Sequence, residues 1–163
     1  MQTSGNQDKI HATLRTAFGF EQLRDGQYQV IDKVLDGKSC AAIFPTGSGK
    51  SLCYQLSALC LPHLTLVISP LLALMKDQLE FLHSKGIAAA SLNSSQSKEE
   101  VQRIMAQVRN GYVKILMVSV ERLKNERFRH FLSQLSISQL VVDEAHCISA
   151  VSYTHLRAHE TTV

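Results

Sequence analysis

Apolar, β-prone runs alternate with helical stretches along this chain, and that alternation constrains the fold more than any other feature. The runs are "CAAIF" (40–44), "LTLVIS" (64–69), "IAAASL" (87–92), "VKILMVS" (113–119) and "QLVVDEAH" (139–146). Between them lie segments with apolar residues at helical spacing. The β-runs are continuously apolar rather than half polar, which predicts strands buried on both faces of a parallel sheet. The expected fold class is therefore α/β, with a parallel sheet flanked by helices. Ligands of such sheets collect at the carboxyl ends of the strands.

The local signals predict where the helices run. Ahead of the sheet, "DKIHATLRTAF" (8–18) and "YQVIDKVLDG" (28–37) read as helices, the second stopped by Gly37. In "PLLALMKDQLEFLHSKG" (70–86), Ser69 suits the N-cap, Pro70 the first turn and Gly86 the end. Leu71, Leu72, Leu74 and Leu79 are expected in the core. Ser97 and Glu100 have capping-box spacing at the head of a helix that ends at Gly111. "ERFRHFLSQL" (126–135) reads as a further helix.

Composition sets the class. The chain has 163 residues, 45% hydrophobic and 19% charged, as expected of one globular domain. No apolar run reaches the roughly 18 residues that span a bilayer, and the polar N-terminus lacks a signal-peptide core. The expected compartment is the cytosol. Cys40, Cys53, Cys60 and Cys147 show no C-x-x-C spacing, so they read as free thiols. The net charge of +3 permits a nucleic-acid partner without requiring one.

Two strand ends carry chemistry. "PTGSGKS" (45–51) follows a β-run and precedes a helix. Phosphates need convergent backbone N–H donors and benefit from a helix N-terminus. Gly47 and Gly49 let the backbone curl. Lys50 is spaced to reach β- and γ-phosphates, and Ser51 to ligate Mg²⁺. The strict pattern G-x-x-x-x-G-K-[ST] is not met, because Phe44 stands in place of the first glycine. "VVDEAH" (141–146) supplies a second acidic strand end. There Asp143 is expected to hold Mg²⁺ and Glu144 to activate the attacking water.

On these motifs the chain resembles the superfamily 2 helicases and, within them, the RecQ family of ATP-dependent DNA helicases. "FGFEQLRDGQ" resembles that family's adenine-recognition motif, which implies Gln27 as the adenine-reading amide. "FPTGSGKSLCYQLSAL" resembles its phosphate loop, implying Thr46, Gly47, Ser48, Gly49, Lys50 and Ser51 as nucleotide contacts; the family tolerates a non-glycine at Phe44. "VISPLLALMKDQ" resembles the segment where Ser69 touches DNA phosphates. "LNSSQ" (92–96) and "SVERL" (119–123) resemble further segments near DNA, implying Asn93, Ser119 and Arg122 as contacts. Val120 departs from the usual proline. "DEAHCIS" resembles the acidic box, where His146 helps couple hydrolysis to DNA binding, and the implied catalytic residues are Lys50, Glu144 and His146.

The resemblance implies a RecA-like P-loop NTPase domain, ATP and Mg²⁺ as cofactors, DNA as partner and 3′-to-5′ unwinding by the longer parent. It runs to Ser149. Residues 1–149 are expected to be a partial first motor domain, truncated after the acidic box, and "AVSYTHLRAHETTV" (150–163) a non-native tail. His155 and His159 in that tail have i,i+4 spacing without the glutamate of H-E-x-x-H, so no zinc site is expected. In such helicases the strand after the acidic box inserts between the phosphate-loop strand and the acidic-box strand. Its absence predicts a gap in the sheet and an isolated chain that does not unwind DNA. An RNA helicase motor and a non-enzymatic nucleotide-binding module remain as alternatives.

Overall fold

A computed structural model of the chain describes residues 3–45, 47 and 49–144. Four strands, β1 (Leu64–Ser69), β2 (Ala89–Leu92), β3 (Ile115–Ser119) and β4 (Ile137–Val142), form one sheet in the order β2-β3-β1-β4. All three pairings are parallel, with Ser69 opposite Ser119 and Ile68 opposite Val142. Every residue of β1 and β3 is buried.

Successive strand residues face opposite sides, so both faces need cover. On one side Val67, Ile115, Met117 and Val141 pack with Ile10, Leu14, Phe18, Ile31 and Leu56. These come from α1 (Thr3–Thr13) with the π-turn that continues it (Leu14–Phe18), from α2 (Gln27–Leu35) and from α3 (Lys50–Cys60). Met75 and Leu82 of α4 (Leu72–Ser84) join the same layer. On the other side Leu66, Ile68, Leu116 and Val118 pack with Ile104 and Val108 of α5 (Lys98–Arg109) and Phe128, Phe131 and Leu132 of α6 (Glu126–Ser133). Each such side chain, fully buried, contributes about 1.5–3 kcal/mol.

The caps set the helix starts. Ser97 accepts from the Glu100 N–H at 3.2 Å, as its spacing predicts, and Asn125 Oδ1 accepts from the Phe128 N–H at 3.1 Å. At α4 the expectation fails: the N-cap is Leu71, without a side-chain bond, and Ser69 Oγ instead accepts from the Leu71 N–H at 3.4 Å. Ser69 remains the last residue of β1, so it cannot also adopt the cap position two residues on.

Two further expectations are corrected. "CAAIF" forms no strand: residues 40–44 are irregular and Ile43 is 93% exposed. A strand needs a hydrogen-bonded neighbour, and among the described residues β4, the sheet's outer strand on this side, pairs only with β1. Of the four leucines, Leu79 packs against the core, whereas Leu71, Leu72 and Leu74 are exposed. They occupy the first turn of α4, beyond the end of the sheet, where no described element covers them.

Cys40, Cys53 and Cys60 are free thiols, as expected; Cys147, His155 and His159 lie outside the described residues. Among the described residues no helix is long and apolar enough to cross a membrane.

Candidate functional site

The glycine loop is held by residues around it. Gly47 and Gly49 have φ of 78° and 83°, a region closed to most side chains. Gly49 caps α3, and a Cβ there would lie 2.5 Å from Gln27 Nε2. Gln27 is buried: Oε1 accepts from the Arg24 N–H at 2.7 Å and Nε2 donates to Gly49 O at 2.9 Å. Arg24 reaches the same loop, donating to Gly47 O at 2.9 Å. Phe44, the residue where strict loops carry glycine, packs its ring on Gly26, where an added Cβ would meet Phe44 Cε1 at 2.7 Å.

Lys50 and Ser51 occupy the first turn of α3. Nearly all of that helix beyond them is buried, so the turn is anchored from below. Its free N–H groups and dipole favour an anion at this end. At the end of β4 the Asp143 N–H donates to Ile68 O at 2.9 Å, which fixes the turn that follows. Asp143 Oδ1 accepts from the Glu144 N–H at 3.1 Å. Glu144 takes φ of 52°, rare outside glycine, and its carboxylate faces Lys50, with Nζ 3.9 Å from Oε1. The fold thus brings together the two segments that sequence spacing singles out. Thr46, Ser48 and His146 lie outside the described residues.

A polar cluster joins α3 to α4. Gln78 Nε2 donates to Ser51 Oγ at 3.2 Å, and the Tyr54 hydroxyl donates to Gln78 Oε1. Burial first, then the negative charge of Asp143, pushes the Tyr54 phenol well above its ordinary range. Tyr54 therefore keeps its proton and donates. Sequence reading assigned neither Gln78 nor Tyr54 a role, because nothing in the local pattern tells which polar residues of two packed helices will meet.

The residues expected near nucleic acid also collect at the carboxyl edge. Ser69 and Ser119 end neighbouring strands. Ser119 Oγ is buried with no hydrogen-bond partner among the described residues. Arg122 forks Nε and Nη2 onto Asn93 O at 3.2 and 2.8 Å, tying the 3-10 turn Val120–Lys124 to the loop after β2. Asn93 Oδ1 accepts from the Ser95 N–H, so both residues first hold backbone. A cavity of about 530 Å³ opens beside the loop between Leu23, Arg24, Tyr28 and His11. Gln27 is not in its wall, because its amide turns to Gly49.

Comparison with known proteins agrees with this geometry. The chain is 48% identical over 142 residues to the ATP-dependent DNA helicase RecQ of Pasteurella multocida, covering 87% of this chain and 22% of that protein. It is 44% identical to the ATP-dependent DNA helicase Q-like 5 of Arabidopsis thaliana, covering 94% and 17% respectively. The chain therefore spans about a fifth of the length of these curated relatives. A solved structure of Mycobacterium smegmatis helicase Lhr bound to ssDNA and AMP-PNP shares the fold, with a TM-score of 0.74 at 20% identity over 93% of this chain and 24% of that one. The profile of the DEAD/DEAH box helicases matches residues 24–161, across both the glycine loop and the acidic end of β4, and the chain belongs to that family.

Proposed function

We propose that this chain carries the nucleotide site of the first motor domain of a RecQ-type, 3′-to-5′ DNA helicase, acting in the cytosol on single-stranded or 3′-tailed DNA. The unit is residues 1–149, with 150–163 standing outside it. The Lys50–Glu144 pair at 3.9 Å carries the reading, because it joins a phosphate-seeking cation to a base candidate at one strand edge.

The pair also suggests how the site responds to nucleotide. Both side chains are partly exposed, at 42% and 26%, and such a pair contributes about 0–1 kcal/mol. A charge-assisted bond to phosphate is worth about 1.5–3 kcal/mol. An arriving triphosphate therefore wins Lys50 from Glu144, whose carboxylate would take a proton from the attacking water. The backbone of Thr46–Ser51 would cradle the phosphates, and His146 would couple this site to DNA.

Magnesium fits the donors at hand. Ser51 offers a hydroxyl and Asp143 a carboxylate, both hard oxygens, and no cluster of three His, Cys, Asp or Glu forms among the described residues. That suits an ion held by one or two protein oxygens plus the nucleotide. Bound there, the ion neutralises phosphate charge. Gln27 would read adenine with the N–H and the lone pair it still has to spare. Ser69, Asn93, Ser119 and Arg122 form the edge proposed to meet DNA.

Lys50→Ala in the intact protein tests the reading. ATP turnover should fall to background and ATP affinity by about tenfold or more, given the bond it removes. Wild-type turnover in that variant would overturn the assignment.

A further inference from the structure

We propose that Gln78, braced by Tyr54, is a positioning residue that fixes the Ser51 hydroxyl so that one lone pair is kept for the metal ion. The inference rests on the proposed magnesium role of Ser51 and deepens it.

A serine hydroxyl has one proton and two lone pairs. One lone pair takes the Gln78 Nε2 hydrogen at 3.2 Å. One lone pair is left for a cation. Tyr54 in turn donates to Gln78 Oε1, which turns the amide so that its NH₂ faces Ser51. Tyr54, Gln78 and Ser51 thus form one linear hydrogen-bonded network. Without it the hydroxyl rotates freely and can spend its acceptor side elsewhere.

The network's setting favours a rigid role. Tyr54 is buried in the middle of α3, and Gln78 is half-buried on α4. Gln78 also belongs to the helix that follows Ser69 and the exposed Leu71–Leu74 turn. The hydroxyl is thereby tied to a second element and not to α3 alone.

Partners that orient a metal ligand typically change metal affinity by about 10–100-fold when removed. The test is magnesium titration of fluorescent ATP-analogue binding to the intact protein, with a parallel measurement in EDTA. Gln78→Leu should raise the magnesium midpoint by about tenfold and leave affinity in EDTA unchanged. Tyr54→Phe, which keeps the buried ring, should raise the midpoint by a smaller factor. It decides the question by itself if Gln78→Leu does not fold. Midpoints equal to wild type in both variants would overturn the proposal. So would an equal loss of affinity with and without magnesium, which marks a packing residue. A wild-type protein with no magnesium-dependent gain overturns the metal assignment of Ser51, and this inference with it. An unshifted Gln78→Leu beside a responsive wild type removes this inference alone.

Discussion

Glu144 holds a backbone conformation that costs a non-glycine residue about 1–3 kcal/mol. Its φ of 52° is sustained by the Asp143 bond to its N–H and brings the carboxylate to Lys50. Strain kept at a strand end beside a cation accords with the proposed role of Glu144 as the base. Glu144→Gln keeps size and backbone but cannot take a proton. Nucleotide binding should persist while turnover falls by about 10²–10⁴, the usual worth of a general base. Retained turnover would remove Glu144 from that role. Cys53 makes a different prediction at this scale. Burial pushes its thiol from 9.0 up to about 11. Between those values the unfolded chain loses the proton and the folded chain keeps it, so unfolding is favoured as pH rises. The contribution is complete below about pH 9 and lost by about 11. Thermal midpoints should drop across that window, and less so in Cys53→Ala. At pH 8 Cys53 should resist iodoacetamide until the protein unfolds; fast native labelling at Cys53 would contradict this.

Elements divide by whether their cause is local. The α5 start was legible because a cap is a contact between residues three apart, and Ser97 and Glu100 carry it in the sequence. Removing a serine cap typically costs about 1 kcal/mol. Ser97→Ala should lower stability by about that amount in urea unfolding, without changing nucleotide affinity. An unchanged midpoint would mean that α5 is held by Ile104 and Val108 alone. The strand predicted at 40–44 failed for the opposite reason: its propensity is real, but a strand exists only against a neighbour. Leu71–Leu74 failed similarly, since apolar character does not tell which turn of a helix the core will reach. The site shows the same division. Lys50, Asp143 and Glu144 were legible because glycine loops and acidic strand ends have local signatures. The grip of Arg24 and Gln27 on Gly47 and Gly49 arises only when α2 packs beside α3.

At the scale of the whole molecule, the alternation of apolar runs and helices was enough to give a parallel sheet, with the candidate site at its carboxyl edge. Strand order was not legible, because pairing is decided by the packing of both layers together. Among the described residues the order places β4 on the outside, bonded to β1 alone, while residues 40–44 join no strand and Ile43 lies in solvent. Among the described residues, two sets of backbone groups beside the candidate site thus lack a strand partner. Amide exchange protection follows hydrogen bonding and burial. In residues 1–163 the amides of β1 and β3 should exchange slowest, and those of 41–44 at nearly the free-peptide rate. In β4 only the amides that donate to β1 should be protected. A longer chain that lays a strand along the free edge of β4 should change this pattern at two places together. The remaining β4 amides would slow, and 41–44 would slow with them if the new strand pairs with both. The loop that leads to Lys50 would then follow a paired strand and be held from both sides, and nucleotide affinity should rise in the same protein. Strong protection of 41–44 already present in residues 1–163 would show that this segment finds its partner without any added strand.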